Sequence, residues 1–229
     1  MRRFIPFLAT FLIISCAPLR VYPQLPTAIS WEQDIRAFEH LDSIESYSNQ
    51  SVLFTGSSSI RLWSTLARDM NPFPIIQRGY GGAKLSDMAV YIDRIVYPHP
   101  CRAIVLFVAN DITGAEDDIS PEETARLFKK LLKTIRKKFP DTPVFWIAVT
   151  PTPLRWKVWA EIQQAAGLIS AVCEKDKNTY FVRTDFAFLN KAALPDESLF
   201  MPDRLHLNTD GYAVWSKIIK NALTGVLGD

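Results

Sequence analysis

Six consecutive apolar residues, Ala103-Ile104-Val105-Leu106-Phe107-Val108, leave no face of a strand for water. Such a run reads as a parallel strand covered on both sides by helices, and it demands a layered α/β fold. The rest of the chain supplies the partners. Strand-length apolar runs recur at Val52–Thr55, Pro74–Gln77, Val144–Val149 and Tyr180–Val182. Between them the spacing predicts helices over 30–48, 59–70, 85–96, 120–138, 155–173 and 212–226. Ser30 with Gln33, and Ser120-Pro121-Glu122-Glu123, carry the capping signals of helix starts. With no internal repeat and no second linker, residues 29–229 are expected to form one βαβ-wound domain around a parallel sheet of about five strands.

At 229 residues, 48% hydrophobic and 22% charged, the chain is neither disordered nor a multi-span membrane protein. A formal charge of +2 argues against a nucleic-acid partner. The basic cluster Lys129, Lys130, Lys133, Arg136, Lys137 and Lys138 alternates with Leu127, Phe128, Leu131, Leu132 and Ile135. It reads as the wet face of an amphipathic helix, with contact to a membrane surface as the alternative. The three histidines show no ligand spacing, so no metal is expected.

The first residues stand apart. Met1-Arg2-Arg3 is basic, and the apolar core Phe4–Ile14 is too short to span a bilayer. Ile13-Ile14-Ser15-Cys16 resembles the bacterial lipoprotein cleavage box, which implies lipidation of Cys16; the alternative is an ordinary secretory signal. Either way residues 1–15 are expected to be a signal peptide and 16–28 a tether. The expected location is exported, membrane-anchored at the periplasmic side or cell surface. Removing Arg2 and Arg3 leaves basic and acidic side chains equal in number. Cys101 and Cys173 are then either a disulfide pair or two separate buried thiols.

The chemistry gathers at strand ends. Thr55-Gly56-Ser57-Ser58-Ser59 follows the first strand and opens a helix, a corner where α/β sheets place their sites. A serine there is either a nucleophile awaiting a base or a plain helix cap. Arg78-Gly79-Tyr80-Gly81-Gly82 can bring bare backbone N–H groups close to a ligand, or simply make a tight turn. Asn110-Asp111 ends the buried strand, as an amide donor or an Asx-type turn. His206 follows Asp203 by three residues on a loop before the last helix, the spacing in which a carboxylate can hold an imidazole base. His40 and His99 have no comparable setting.

Taken in order, these elements resemble the SGNH (GDSL-type) hydrolase family, from about Ser51 to the end of the chain. Trp31–Asp42 resembles the leading helix of a bacterial subgroup. The resemblance implies a three-layer α/β/α, flavodoxin-like fold and a serine esterase needing no cofactor and no metal. It aligns Ser58 with the nucleophile, Gly82 and Asn110 with the oxyanion glycine and amide, and Asp203 and His206 with the rest of the triad. The Ser58 N–H joins the oxyanion hole. Two positions depart from the pattern: Ser57 replaces the usual Asp, and Val108 stands where the third block has Gly, implying a changed backbone before Asn110.

The implied reaction is two-step acyl transfer on a small-molecule or glycan ester, with small acyl groups such as acetyl favoured by the lack of a long apolar lid segment. Tyr80, Ile112 and Trp156 are expected to line the pocket, although Trp156 can equally pack the helix that follows it. The alternatives are a lysophospholipase-like lipid esterase, acyl transfer to a sugar, and a non-catalytic glycan-binding lipoprotein.

Overall fold

The computed structural model describes residues 30–228, so the expected signal peptide, tether and Cys16 lie outside the described residues. Five strands form one parallel sheet: β1 (Val52–Gly56), β2 (Ile75–Gly79), β3 (Ala103–Phe107), β4 (Val144–Ile147) and β5 (Thr179–Val182). Their order across the sheet is β2-β1-β3-β4-β5. The winding therefore reverses between β1 and β3, and the crevice beyond their carboxyl ends is the place such sheets reserve for ligands.

Successive residues of each strand face opposite sides, which divides the interior into two cores. Leu53, Ile104, Leu106 and Trp146 face one side and meet Ile35, Met88, Ile92, Phe128 and Leu131. These come from α1 (Glu32–Ile44), α4 (Leu85–Val96) and α5 (Pro121–Lys138). Phe54, Val105, Phe107 and Phe145 face the other side and meet Trp63, Trp215, Ile219 and Leu223. Trp215, Ile219 and Leu223 lie on the closing helix α7 (Thr209–Leu227). The α5 start follows its sequence signals: Ser120 Oγ accepts from the Glu123 N–H at 3.2 Å, with Pro121 in the first turn. The lysines expected on its outer face, Lys129, Lys130, Lys133, Lys137 and Lys138, are exposed.

Four helices differ from the spacing, the first because the helix expected over 30–48 ends at Ile44. The single helix expected over 59–70 is two short turns, α2 (Ser58–Arg61) and α3 (Leu66–Asp69). The chain bends between them so that Trp63 can enter the core, where its indole N–H donates to Asp69 Oδ2 at 2.8 Å and its ring meets Phe54 and Trp215. The helix expected from 155 begins as a 3₁₀ turn over Pro153–Val158, and α6 (Trp159–Glu174) follows. Thr152 caps that turn and Pro153 fixes its start, which favours the tighter coil there. The closing helix starts at Thr209 because Asn208 Oδ1 accepts the Gly211 N–H at 3.0 Å. No helix among the described residues is long and apolar enough to cross a membrane. Cys101 and Cys173 are both free and buried, so the disulfide alternative does not hold.

Candidate active site

Gly56 ends β1 with φ +134°, a conformation that favours glycine, and turns the chain into α2. The Ser57 N–H donates to the Phe107 carbonyl at 2.8 Å, which ties the corner to β3. Ser58 is therefore the first residue of a helical turn, and its N–H has no intrahelical acceptor.

The loop before α7 approaches from the other side. Asp203 Oδ1 accepts the Leu205 and His206 N–H groups, each at 3.0 Å, and this turn fixes the carboxylate relative to the imidazole. Asp203 Oδ2 lies 2.6 Å from His206 Nδ1, and His206 Nε2 lies 2.9 Å from Ser58 Oγ. Burial pushes the Asp203 carboxyl up, but bonds from the His206 ring and the two backbone N–H groups outweigh it and hold the group below its ordinary value. An ionised Asp203 selects the tautomer with a proton on Nδ1, leaving Nε2 to accept from the serine hydroxyl. The three groups are thus aligned for removal of a proton from Ser58.

Asn110 completes the near wall. Its Nδ2 donates to the Ala83 carbonyl at 3.0 Å and its Oδ1 accepts from Arg155 Nη2 at 2.8 Å. The same contact places the segment after Gly82 beside Asn110. Gly82 has φ +67°, and a β-carbon there would lie 3.1 Å from the Trp31 ring. Trp31 is itself held by its indole N–H, which donates to Asp87 at 3.2 Å. Val108, the departure from the glycine pattern, is buried in the same core as Leu106 and Trp146. Asn110 still reaches the crevice.

That crevice encloses about 390 Å³, part of it open to solvent, and its walls include Ser58, Asn110, Thr150, Thr152, Arg155 and His206. The Thr150 hydroxyl is buried and has no hydrogen-bond partner among the described residues. No cluster of three His, Cys, Asp or Glu side chains suited to a metal occurs among the described residues.

None of the three expected lining residues, Tyr80, Ile112 and Trp156, is in the wall of this crevice. Tyr80 is 0% exposed, and its ring meets Trp31 at 5.7 Å inside the core, where burial raises its phenol well above the ordinary value. Its backbone passes the site while its side chain turns inward. Ile112 packs with Trp159, Ile162 and Ala165 and lines an apolar cavity that shares Ala109 and Val149 with the crevice, so it stands beside the crevice and not in its wall. Trp156 stacks on Trp159 with ring centroids 5.9 Å apart, so the packing alternative holds for it. The sequence reading missed Arg155, Thr150 and Thr152. Their signal was their place on the loop beyond β4, at the same sheet edge as the other three loops.

No curated protein matches the sequence. Among solved structures, a Streptococcus pneumonia protein provisionally assigned as a platelet activating factor superposes with a TM-score of 0.75 at 19% identity, covering 84% of this chain and 92% of that one. A GDSL-like lipase from Bacteroides thetaiotaomicron gives 0.69 at 16% identity, covering 84% and 98%. A catalytic mutant of an acetylxylan esterase from Geobacillus stearothermophilus gives 0.63 at 12% identity, covering 77% and 94%. These likenesses establish a shared fold, the SGNH hydrolase fold. The model of the GDSL-like lipase/acylhydrolase family matches residues 42–214, a span from before β1 into α7 that includes the serine corner, Asn110 and the Asp203–His206 loop. The chain belongs to the GDSL-like lipase/acylhydrolase family of carboxylic ester hydrolases.

Proposed function

We propose that the protein is an exported esterase that removes small acyl groups, acetyl above all, from a small-molecule or glycan ester, with Ser58, His206 and Asp203 as its triad. The observation that carries the reading is the chain of contacts from Asp203 through His206 to Ser58, at 2.6 and 2.9 Å. Ser58 Oγ attacks the ester carbonyl carbon while its proton passes to His206 Nε2. The negative charge moves to the carbonyl oxygen, which takes hydrogen bonds from the Ser58 and Gly82 N–H groups and the Asn110 amide. The tetrahedral species collapses with loss of the alcohol, which leaves with the proton from His206. Water then repeats the sequence on the acyl-enzyme, giving the free acid and restoring Ser58. Asp203 keeps the imidazole oriented and stabilises its cation in both halves.

The crevice supports a short acyl group: it is small, and its walls carry Thr150, Thr152 and Arg155 beside Ser58. A similar fold in an acetylxylan esterase supports acetylated glycans as the substrate class. Export and anchoring rest on the N-terminal sequence, with Cys16 as the lipidated residue and tethered to a bacterial membrane.

A fluorophosphonate probe tests the nucleophile, because an activated serine reacts and an ordinary one does not. Modification mapped to Ser58 is expected, while an unlabelled, folded protein would point to a glycan-binding module. A panel of acetylated oligosaccharides, short p-nitrophenyl esters and lysophospholipids under one condition tests the substrate. Preference for lysophospholipid would overturn the acetyl assignment, and acylated product on added sugars would make the protein a transferase.

A further inference from the structure

Arg155 is a mostly buried cation in the wall of the crevice that pairs with no carboxylate among the described residues. Its guanidinium instead donates to two neutral oxygens on consecutive residues, from Nη1 to the Ala109 carbonyl and from Nη2 to Asn110 Oδ1 at 2.8 Å. Burial lowers its pKa and Asp118 pulls it back up, but an arginine keeps its charge in such a site. Its backbone is also fixed. The Arg155 N–H donates to Thr152 Oγ1 at 3.3 Å, and the preceding Leu154 N–H donates to the Arg204 carbonyl at 3.1 Å. One short loop therefore touches both the Asn110 amide and the turn that carries His206.

The contacts settle which way the Asn110 amide points. A guanidinium can only donate and a carbonyl can only accept, so Oδ1 must face Arg155 and Nδ2 must face Ala83 O. Nδ2 carries two hydrogens. One is used by Ala83, and the second is left for the crevice.

We propose that Arg155 is a positioning residue for the oxyanion hole: it locks the Asn110 amide in the orientation that offers its second N–H to the substrate oxyanion, and its unneutralised charge polarises that N–H. The inference rests on the serine esterase reading. A hydrogen bond from a charged donor is about twice as strong as one between neutral groups, and bonded groups polarise one another in a low-dielectric site. No carboxylate bonds the Arg155 guanidinium among the described residues, and Asp118, which acts on it from farther off, is itself bonded by the Thr113 N–H and hydroxyl and the Gly114 N–H. Lysine would keep the charge but not the planar fork that spans Ala109 and Asn110.

A double-mutant cycle on the purified full chain tests the assignment, with p-nitrophenyl acetate turnover and fluorophosphonate labelling of Ser58 as readouts. Asn110→Ala is expected to lower kcat by about 10²–10³-fold, the usual cost of a lost oxyanion donor. Arg155→Met is expected to lower kcat by about 10–100-fold with KM changed by less than about threefold, because the contact acts on the transition state. In the Asn110→Ala background the same substitution should cost no more than about threefold further, since its target is gone. Arg155→Lys should fall between Arg155→Met and wild type, and labelling rates should follow kcat. Wild-type kcat in Arg155→Met, or the same loss with and without Asn110, overturns the assignment. A merely structural role would instead raise KM and lower the melting temperature of all Arg155 variants in both backgrounds. If Arg155→Met does not fold, Arg155→Lys with Asn110→Ala completes the same cycle. An unlabelled and inactive wild type means failure of the esterase reading itself; an active wild type with additive losses means failure of this inference alone.

Discussion

Gly56 and Phe107 are paired across β1 and β3 so closely that a β-carbon on Gly56 would lie 1.9 Å from the Phe107 carbonyl oxygen. That oxygen is not free to retreat, because it accepts the Ser57 N–H at 2.8 Å. The close approach is what lets the chain leave the sheet in the direction that presents Ser58. Gly56→Ala meets both this clash and an unfavourable φ of +134°. We expect it to destabilise the fold by on the order of 3–5 kcal/mol. Any soluble fraction should label slowly with the fluorophosphonate probe. Denaturant melts set beside labelling rates check this, and a stable, fully reactive variant would show that the corner adapts.

The serine corner was legible in the sequence because an apolar strand, a glycine and three serines are neighbours. So were the places of the five strands along the chain and the pairing of Asp203 with His206, which are three residues apart. What could not be read were contacts between loops. Arg155 and Asn110 are 45 residues apart, and nothing in the local composition of either says that they meet. Tyr80 failed for a different reason. A residue type suited to a pocket stands at a strand end, but which way its ring turns is decided by the room left beside Trp31. The bend between α2 and α3 was hidden because Ile60, Trp63, Leu66 and Met70 have helical spacing and are all buried. The bend serves Trp63 without disturbing the pattern.

The triad makes a graded prediction. Ser58→Ala and His206→Ala should each reduce kcat for a short p-nitrophenyl ester by on the order of 10⁴-fold or more, with circular dichroism and melting temperature close to wild type. Because the groups act together, the Ser58→Ala/His206→Ala double variant should be about as inactive as either single one. Asp203→Asn should cost less than removal of the nucleophile yet still about 10³–10⁴-fold, since the wrong imidazole tautomer is then favoured. Purified variants assayed at saturating ester measure all three. Wild-type turnover in Ser58→Ala or His206→Ala would remove the mechanism.

The two thiols should be inert in the native protein. Cys101 and Cys173 are 8% and 2% exposed, and burial raises their pKa values to about 11 and about 12. Thiolate is the reacting form, so alkylation by iodoacetamide at pH 8 should be negligible when the protein is folded. In denaturant without reductant, both tryptic peptides should become fully alkylated. A disulfide-linked peptide pair in the mass map would contradict the free state of both residues.

Asp111 should give the fold a pH dependence of identifiable sign. It is 4% exposed, and its two oxygens accept the Leu85 N–H at 3.0 and 3.2 Å, joining the end of β3 to the start of α4. Burial pushes its pKa up to about 7; the Leu85 bonds and Lys84 oppose the rise, and Asp87 and Asp118 add to it. A carboxyl raised on folding contributes stability that is fully present below its unfolded pKa of about 4, and this is lost as pH rises through about 7. Asp111→Asn keeps an oxygen to accept from Leu85 but carries no charge to bury. At pH 5, about one unit above the unfolded pKa, the variant should therefore lead by only about 1–2 kcal/mol. By pH 8.5 its lead should be a few kcal/mol and at most about 4. Denaturant melts of both proteins at pH 5, 7 and 8.5 give the difference directly, and groups common to both cancel from it. A difference that does not change with pH would mean that Asp111 has the same proton affinity in the folded and unfolded chains.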